Sequence, residues 1–388
     1  MKLLMSVNTS WNIVNFRAGL VRGLQAQGYE VVVAAPRDRF SDAIERDLGC
    51  RFVDLPMRGH SRSPATDLAL FSRFVRTMRI VRPDAFLGYT VKPNVFGSLA
   101  AQLAGVPCIN NIAGLGSIFN ETGPTARIVA ALYRLALRRS KRVFFQNSDD
   151  LDLFVTRGLA RPEQAGLLPG SGIDTVHFQA APRRRDRKSV FTFVLVGRLL
   201  KEKGLAELAD ATRSVRREHP DVRVWVAGPL DSRNPASIAP QAMKRWVDEG
   251  LFEYLGVLDD VRPVLEEADC VVLPSYYREG TPRALLEAAA MGRPIITTDM
   301  PGCRDVVDDG VNGFLVPPRE IPALAGRMAA MVKASTDEIA QMGQRSRNKA
   351  MRQFDEQLVI DRYLAALDAV LTPSRTAEND RGARARRA

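Results

Sequence analysis

Short apolar runs alternate with longer stretches of helical periodicity along the whole chain. Residues 2–7, 29–35, 51–55, 84–88, 107–110 and 142–146 are runs too short for helices, and they predict buried strands. Between the first two, residues 8–16 read as a polar loop leading into a helix that ends near Gln27 and Gly28. Residues 67–82 place Leu68, Leu70, Phe71, Phe74, Val75 and Met78 on one side of a helix, with Arg73, Arg76, Arg79 and Arg82 elsewhere. Pro83 ends it, and residues 95–104 predict another helix. After residue 189 the alternation resumes. Strands are expected at 190–196, 222–227, 252–256, 270–274 and 294–298, with helices at 261–268, 283–291 and between 321 and 352. Strand–helix alternation of this kind predicts an α/β fold with parallel sheets. Residues 179–188 (QAAPRRRDRK) are polar and turn-rich, a linker between two halves. The expected layout is a first domain over 1–178, a linker over 179–189 and a second domain over 190–353. A helix over 354–371 then crosses back to the first domain, and a basic disordered tail covers 372–388.

Composition narrows the class. A chain of 388 residues accommodates two domains of ordinary size. No run of eighteen apolar residues occurs, so no membrane span is expected. The start, MKLLMSVNTSW, turns polar too soon for a signal peptide and reads as a first strand. Cys50, Cys108, Cys270 and Cys303 lack metal or redox spacing, which suits buried thiols in a reducing cytoplasm. The formal net charge is +11. No zinc pattern, helix-turn-helix or aromatic-rich basic strand accompanies it, so nucleic acid is not an expected partner. Anionic lipid and diphosphate ligands fit the excess better. Residues 125–142 form a basic amphipathic pattern, with Ile128, Val129, Leu132, Leu135 and Ala136 on one side and Arg127, Arg134, Arg138, Arg139, Lys141 and Arg142 around the rest. Such a helix lies on anionic lipid, or packs on a core with a solvated basic face.

Residues 276–305 carry the densest chemistry. An apolar strand at 270–274 is followed by a polar turn, then Thr281 as a predicted N-cap and Pro282 at the first helical position. The helix stops at Gly292. Its N-terminus lies at the carboxyl end of a strand, where open α/β sheets bind ligands and where free amides favour an anion. Glu279 precedes the helix, and Glu287 lies about 7–8 Å along its axis from Pro282. Spacing alone leaves two readings: a site for a nucleotide sugar, with hydroxyls on either side of a diphosphate, or a capped surface helix with two solvated glutamates.

The segment resembles the E-x7-E signature of the retaining glycosyltransferases of family four, with Glu279, Gly280 and Pro282 matching its usual E-G-x-P start. The resemblance implies that Glu279 contacts donor-sugar hydroxyls, that Glu287 binds the ribose, and that amides from Thr281 and Pro282 to Arg283 face the diphosphate. Residues 197–204 (GRLLKEKG) match the family's G-R-x-x-x-x-K-G loop, so Gly197, Arg198 and Lys203 are expected at the diphosphate. The turn at Gly256 and Val257 lies where relatives hold the base, and the loop with Gly302 and Cys303 where some hold the sugar. TVKPN (90–94) and NNIAGLG (110–116) resemble bacterial enzymes that extend polyprenyl-diphosphate-linked sugars. Lys92 is then the candidate for a phosphate, Asn94 for a sugar hydroxyl, and the backbone around Gly114 and Gly116 for the position near the sugar. The chain departs from the family in two places: paired glycines after the first strand are missing, and none of His60, His177 and His219 matches the usual histidine after the 107–110 strand.

The resemblance implies the GT-B arrangement, two Rossmann-like domains facing across a cleft. It also implies transfer of a sugar from a nucleotide diphosphate, UDP being the expected nucleotide, to a lipid-linked glycan. The expected place is the inner face of the cell membrane, with the protein bound peripherally. No metal and no cofactor is expected, since Arg198 and Lys203 would supply the positive charge. The competing readings are a nucleotide-sugar 2-epimerase of the same fold and a non-enzymatic basic membrane-binding protein.

Overall fold

The protein is described by a computed structural model covering residues 1–57, 63–115, 123–180, 190–231 and 234–372. The apolar runs become the strands of two separate sheets. The first holds β1 (Lys2–Ser6), β2 (Glu30–Ala35), β3 (Arg51–Asp54), β4 (Ala85–Tyr89), β5 (Cys108–Ile112), β6 (Arg142–Phe145) and β7 (Ala165–Leu167) in the order β3-β2-β1-β4-β5-β6-β7. The second holds β8 (Thr192–Val196), β9 (Arg223–Ala227), β10 (Glu253–Tyr254), β11 (Cys270–Leu273), β12 (Ile295–Thr298) and β13 (Gly313–Val316) in the order β10-β9-β8-β11-β12-β13. The pairings are parallel: Leu3 of β1 lies opposite Val31 on one side and Ala85 on the other.

Helices cover both faces, as continuous apolar strands require. Leu3, Met5, Val31 and Val33 enter one core cluster of the first sheet, while Leu4, Val32 and Ala34 enter the cluster on its opposite face. That alternation is the two-residue period of a strand. Two Rossmann-like domains therefore face each other across a cleft. In each sheet the chain direction across the sheet reverses once, at β1/β4 and at β8/β11. These are the switch points where such sheets open a crevice for ligands.

The end of the chain belongs to the first core. The helix Glu356–Leu371 lies along the helix Ala18–Ala26, and its Val359, Ile360, Tyr363 and Leu367 join the cluster of Leu20, Val21 and Leu24. Ile173 bridges to Asp355 just before it.

Several local expectations change. The expected loop over 8–16 is largely a helix, Ser10–Phe16, capped by the Thr9 hydroxyl, which accepts from the Asn12 amide at 3.3 Å. The chain kinks at Arg17 (φ −128°, ψ −1°) and restarts as Ala18–Ala26. The helix expected over 95–104 begins as a wide π turn, Pro93–Gly97, before Ser98–Leu103. Gly97 lets that turn press onto β4, where a Cβ would lie 2.3 Å from the Phe86 ring. The strand expected over 252–256 pairs only over Glu253–Tyr254. Among the described residues no helix is long and apolar enough to cross a membrane. The expected linker lies almost wholly outside the described residues, as does the tail after Thr372.

Because Leu367 is fully buried in the first core, Leu367→Ala should cost about 2–5 kcal/mol in the first domain. Calorimetry should show the first-domain transition falling while that of the second stays in place.

Candidate functional site

The loops that follow β8, β11 and β12 meet at the carboxyl edge of the second sheet, on its switch point. The first of them ends in a short turn, Lys201–Lys203, closed by Gly204 (φ +78°). A Cβ on Gly204 would lie 2.2 Å from the Pro274 carbonyl oxygen, so the loop rests directly on the end of β11. That contact aims Lys203 at the next loop. Its Nζ lies 2.5 Å from Oε1 of Glu279, and the Ser275 hydroxyl donates to the same oxygen at 2.9 Å. The side chains of Lys203 and Glu279 are only 10% and 14% exposed. Arg198, one loop residue past Gly197, is exposed and lies against the Tyr277 hydroxyl. Burial raises the Tyr277 phenol, and Arg198 works against that rise.

The helix Arg283–Ala290 starts one residue later than expected, with Pro282 in the capping position. Thr281 does not cap it. Its hydroxyl donates instead to the Gln146 carbonyl at 2.9 Å, a residue of the other domain. Glu287, one turn in, accepts from Arg283 Nε at 3.2 Å. Burial lifts its carboxyl above the ordinary range, and Arg283 opposes the lift. Arg283 also donates to the Gly172 carbonyl and stacks on Phe16, 5.6 Å from the ring centre.

The remaining second-domain candidates divide. Gly302 (φ +79°) packs against the glutamate loop so closely that a Cβ would lie 1.4 Å from the Gly280 carbonyl oxygen. The Cys303 thiol is fully buried behind the Lys203–Glu279 pair, and burial pushes it up to about 12. The Cys303 side chain is therefore not offered to a ligand. Gly256 accepts from the Gly228 amide at 2.7 Å, and Val257 is 58% exposed. This turn stands two strands out from β8, roughly 10 Å at about 4.8 Å per strand.

In the first domain, Lys92 is paired with Asp67 at 2.8 Å, both side chains largely covered. Asn94 points inward and has no exposure. Its amide donates to the Asn111 carbonyl at 2.8 Å and its Oδ1 accepts from Asn110 at 2.9 Å, so this conformation does not offer it to a sugar hydroxyl. The reason is packing: the wide turn after β4 draws Asn94 under the sheet edge. Gly114 (φ +96°) touches the second domain, since a Cβ there would lie 2.3 Å from the Gly280 amide nitrogen. Gly116 lies outside the described residues.

Sequence reasoning missed three residues at this cleft. Gln146 and Asn147 bond the glutamate loop from across it, and Asp150 pairs with Arg278. The run Ser148-Asp149-Asp150 opens the helix Ser148–Thr156. Asn147 is the cap, accepting from the Asp150 amide at 2.7 Å, which leaves Asp150 for another partner. Arg17 also lies at the cleft. It is 3% exposed beside the first switch point, stacks 4.6 Å over the Tyr89 ring, and its Nε and Nη1 have no hydrogen-bond partner.

Two family models match in tandem. Residues 13–171 match the glycosyl transferase 4-like domain, and residues 190–334 match glycosyl transferases group 1. The chain is a glycosyltransferase of the GT-B fold. It is 26% identical over 377 residues, 93% of this chain and 96% of the other, to the N,N'-diacetylbacillosaminyl-diphospho-undecaprenol alpha-1,3-N-acetylgalactosaminyltransferase of Campylobacter jejuni. It is 25% identical over 321 residues, 80% of this chain and 81% of the other, to an Escherichia coli UDP-Gal:alpha-D-GlcNAc-diphosphoundecaprenol alpha-1,3-galactosyltransferase. Its fold is similar to that of Anabaena HepE in complex with UDP, with a TM-score of 0.76 at 21% identity over 95% of this chain and 100% of that one.

In this glycosyltransferase the Lys203–Glu279 pair should also hold the two loops together. Removing one partner of a buried pair costs about 3–5 kcal/mol, and partial exposure points to the lower end. Lys203→Ala should therefore destabilise by about 3 kcal/mol, and adding Glu279→Gln should recover part of the loss. A double-mutant cycle in denaturant checks this, additivity being the contrary result.

Proposed function

We propose that the enzyme moves a hexose or N-acetylhexosamine from a UDP sugar to a saccharide carried on a polyprenyl diphosphate, with retention at the anomeric carbon. The observation that carries the reading is the meeting of Lys203 and Glu279 at a switch point, beside the N-terminus of the Arg283–Ala290 helix. The names of the Campylobacter and Escherichia relatives support the acceptor class. In this reading Arg198, Lys203 and the free amide of Arg283 at the helix N-terminus hold the diphosphate. Glu279 takes sugar hydroxyls, Glu287 the ribose, and the turn at Gly256 and Val257 the base. Lys92 exchanges Asp67 for an acceptor phosphate.

The chemistry follows from the charges. The bond between the anomeric carbon and the UDP oxygen breaks, and an acceptor hydroxyl forms a new bond on the same face. The leaving phosphate takes the acceptor proton. Negative charge grows on UDP, and cations already in place stabilise it without reorganisation. Arg198 suits bidentate phosphate contact, Lys203 a point charge. The reading needs no metal. Transfer from UDP sugars to a polyprenyl-diphosphate saccharide should fall by about 10²–10³-fold in Lys203→Ala and in Glu279→Ala. Unchanged turnover in both, or sugar interconversion without an acceptor, would defeat the assignment.

We infer further that the first domain rests on an anionic membrane. On the helix Pro124–Leu137, Ile128 and Leu135 are 61% and 53% exposed, one heptad apart. Leu103, 68% exposed, ends the neighbouring helix, which Gln102 ties to this one by donating to the Ala136 carbonyl. Exposed Arg127, Arg138 and Arg139 stand on and just past this helix, each adding about 1 kcal/mol near an anionic surface. The protein should sediment with vesicles containing anionic lipid. Ile128→Ser with Leu135→Ser should weaken binding at least tenfold, and failure of the unaltered protein to bind would remove the membrane contact.

A further inference from the structure

The glutamate loop belongs to the second domain, yet the first domain holds it. Directly after β6, Gln146, Asn147 and Asp150 are 6%, 3% and 0% exposed. Asn147 Nδ2 donates to the Glu279 carbonyl at 3.0 Å. The Thr281 hydroxyl donates to the Gln146 carbonyl at 2.9 Å, and its amide donates to the Gln146 side-chain oxygen at 3.3 Å. Arg278 Nε donates to Asp150 at 2.8 Å. Residues on both sides of Glu279, and the peptide of Glu279 itself, are therefore fixed by one five-residue stretch across the cleft.

The anchors are themselves rigid. Asn147 caps the helix Ser148–Thr156 through the Asp150 amide, and Gln146 donates to Asn111 at 3.3 Å. Gly280 has no spare room between them, since a Cβ there would lie 2.3 Å from the Gln146 side-chain oxygen. Asp150 is a fully buried carboxylate whose cationic partner sits on the other domain. Parting the domains separates the two charges. A second, more exposed pair, Arg304 with Asp149 at 3.3 Å, lies next to the first and also spans the cleft.

We propose that Gln146, Asn147 and Asp150 are positioning residues that set the Glu279 carboxylate for transfer only while the domains are closed. The inference rests on the reading of Glu279 as the sugar-contacting group. Lys203 and Arg198 belong to the second domain, so UDP can bind before closure. The acceptor-carrying domain then completes the donor site by pinning Arg278 to Thr281. Donor turnover is tied in this way to closure, which excludes water from the sugar.

The test uses Asn147→Ala, Asp150→Asn and Arg278→Gln in the full chain, the last on a partly exposed loop side chain. Expected are a fall in kcat of at least tenfold in each, with the Kd for UDP within about threefold of the starting value. Hydrogen exchange at the Gly280 and Thr281 amides should quicken at least tenfold, while the amides of the Arg283–Ala290 helix keep their protection. The exchange difference does not depend on any assigned substrate, so it survives even if UDP sugars prove not to be donors. The swap Asp150→Arg with Arg278→Asp should recover activity over either single reversal. Unchanged kcat, or exchange that quickens equally in loop and helix, would overturn the proposal, as would UDP affinity that falls in step with kcat.

Discussion

Lys203 and Glu279 meet at 2.5 Å where β8 and β11 diverge, and the loops facing the cleft are built around that contact. Each charge is mostly removed from water, which neither could bear alone. The pair fixes the spacing between the loop that follows β8 and the loop that follows β11. On the proposed reading it is also the contact a donor must rearrange. A diphosphate competes for the ammonium and sugar hydroxyls for the carboxylate, so binding exchanges one set of charge-assisted hydrogen bonds for another. On that reading the groups that bind the donor are also the ones that hold the loops in shape.

The two domains present different chemistry to the cleft. The second offers charges: Arg198, Lys203, Glu279, Arg283 and Glu287. Under the edge of the first lie neutral amides. Asn94, Asn110 and Asn111 are all fully buried, and Ser98 and Ser140 close the network around Asn110 at 2.8 and 2.7 Å. Asn111 donates to the Tyr363 hydroxyl at 3.1 Å, which ties the end of the chain to the floor of the cleft. A satisfied network of this kind specifies one arrangement of its strands. Charged groups of the first domain break the pattern: Asp149 and Asp150 pair across the cleft with Arg304 and Arg278, and the Arg17 guanidinium stacks on Tyr89 with two nitrogens unpartnered.

The two-sheet architecture was legible because its strands are continuous apolar runs, a pattern that a parallel sheet covered on both faces demands. The neighbourhood of Glu279 was legible as a strand, a turn and a helix. What could not be read was direction. Asn94 and Lys92 follow the same strand and look alike in sequence. One side chain turns into the core and the other pairs with Asp67, because a wide turn places them on different sides. Thr281 has the residue type of a cap, but a carbonyl from the other domain took its hydroxyl. Asp150 has the residue type of a cap as well, but Asn147 fills that place. Contacts between distant segments carry no local period, so residues such as Gln146 gave no signal.

Close approach explains why the glycines of this cleft cannot be replaced by small residues. Gly114, Gly280 and Gly302 come from three loops, one in the first domain and two in the second. A methyl group on Gly114 would meet the Gly280 amide nitrogen at 2.3 Å, and one on Gly302 would meet the Gly280 carbonyl oxygen at 1.4 Å. Gly280 is thus pressed from both sides at its own peptide groups, and its own missing Cβ leaves space for the Gln146 side chain. Gly114 and Gly302 also take left-handed backbone angles that side-chain-bearing residues avoid. Backbone meets backbone at this point, so the closed arrangement is set by shape as well as by charge. The charge pairs on either side then act on loops whose separation is already fixed, which is why a single hydrogen bond from Asn147 can determine where the Glu279 peptide lies.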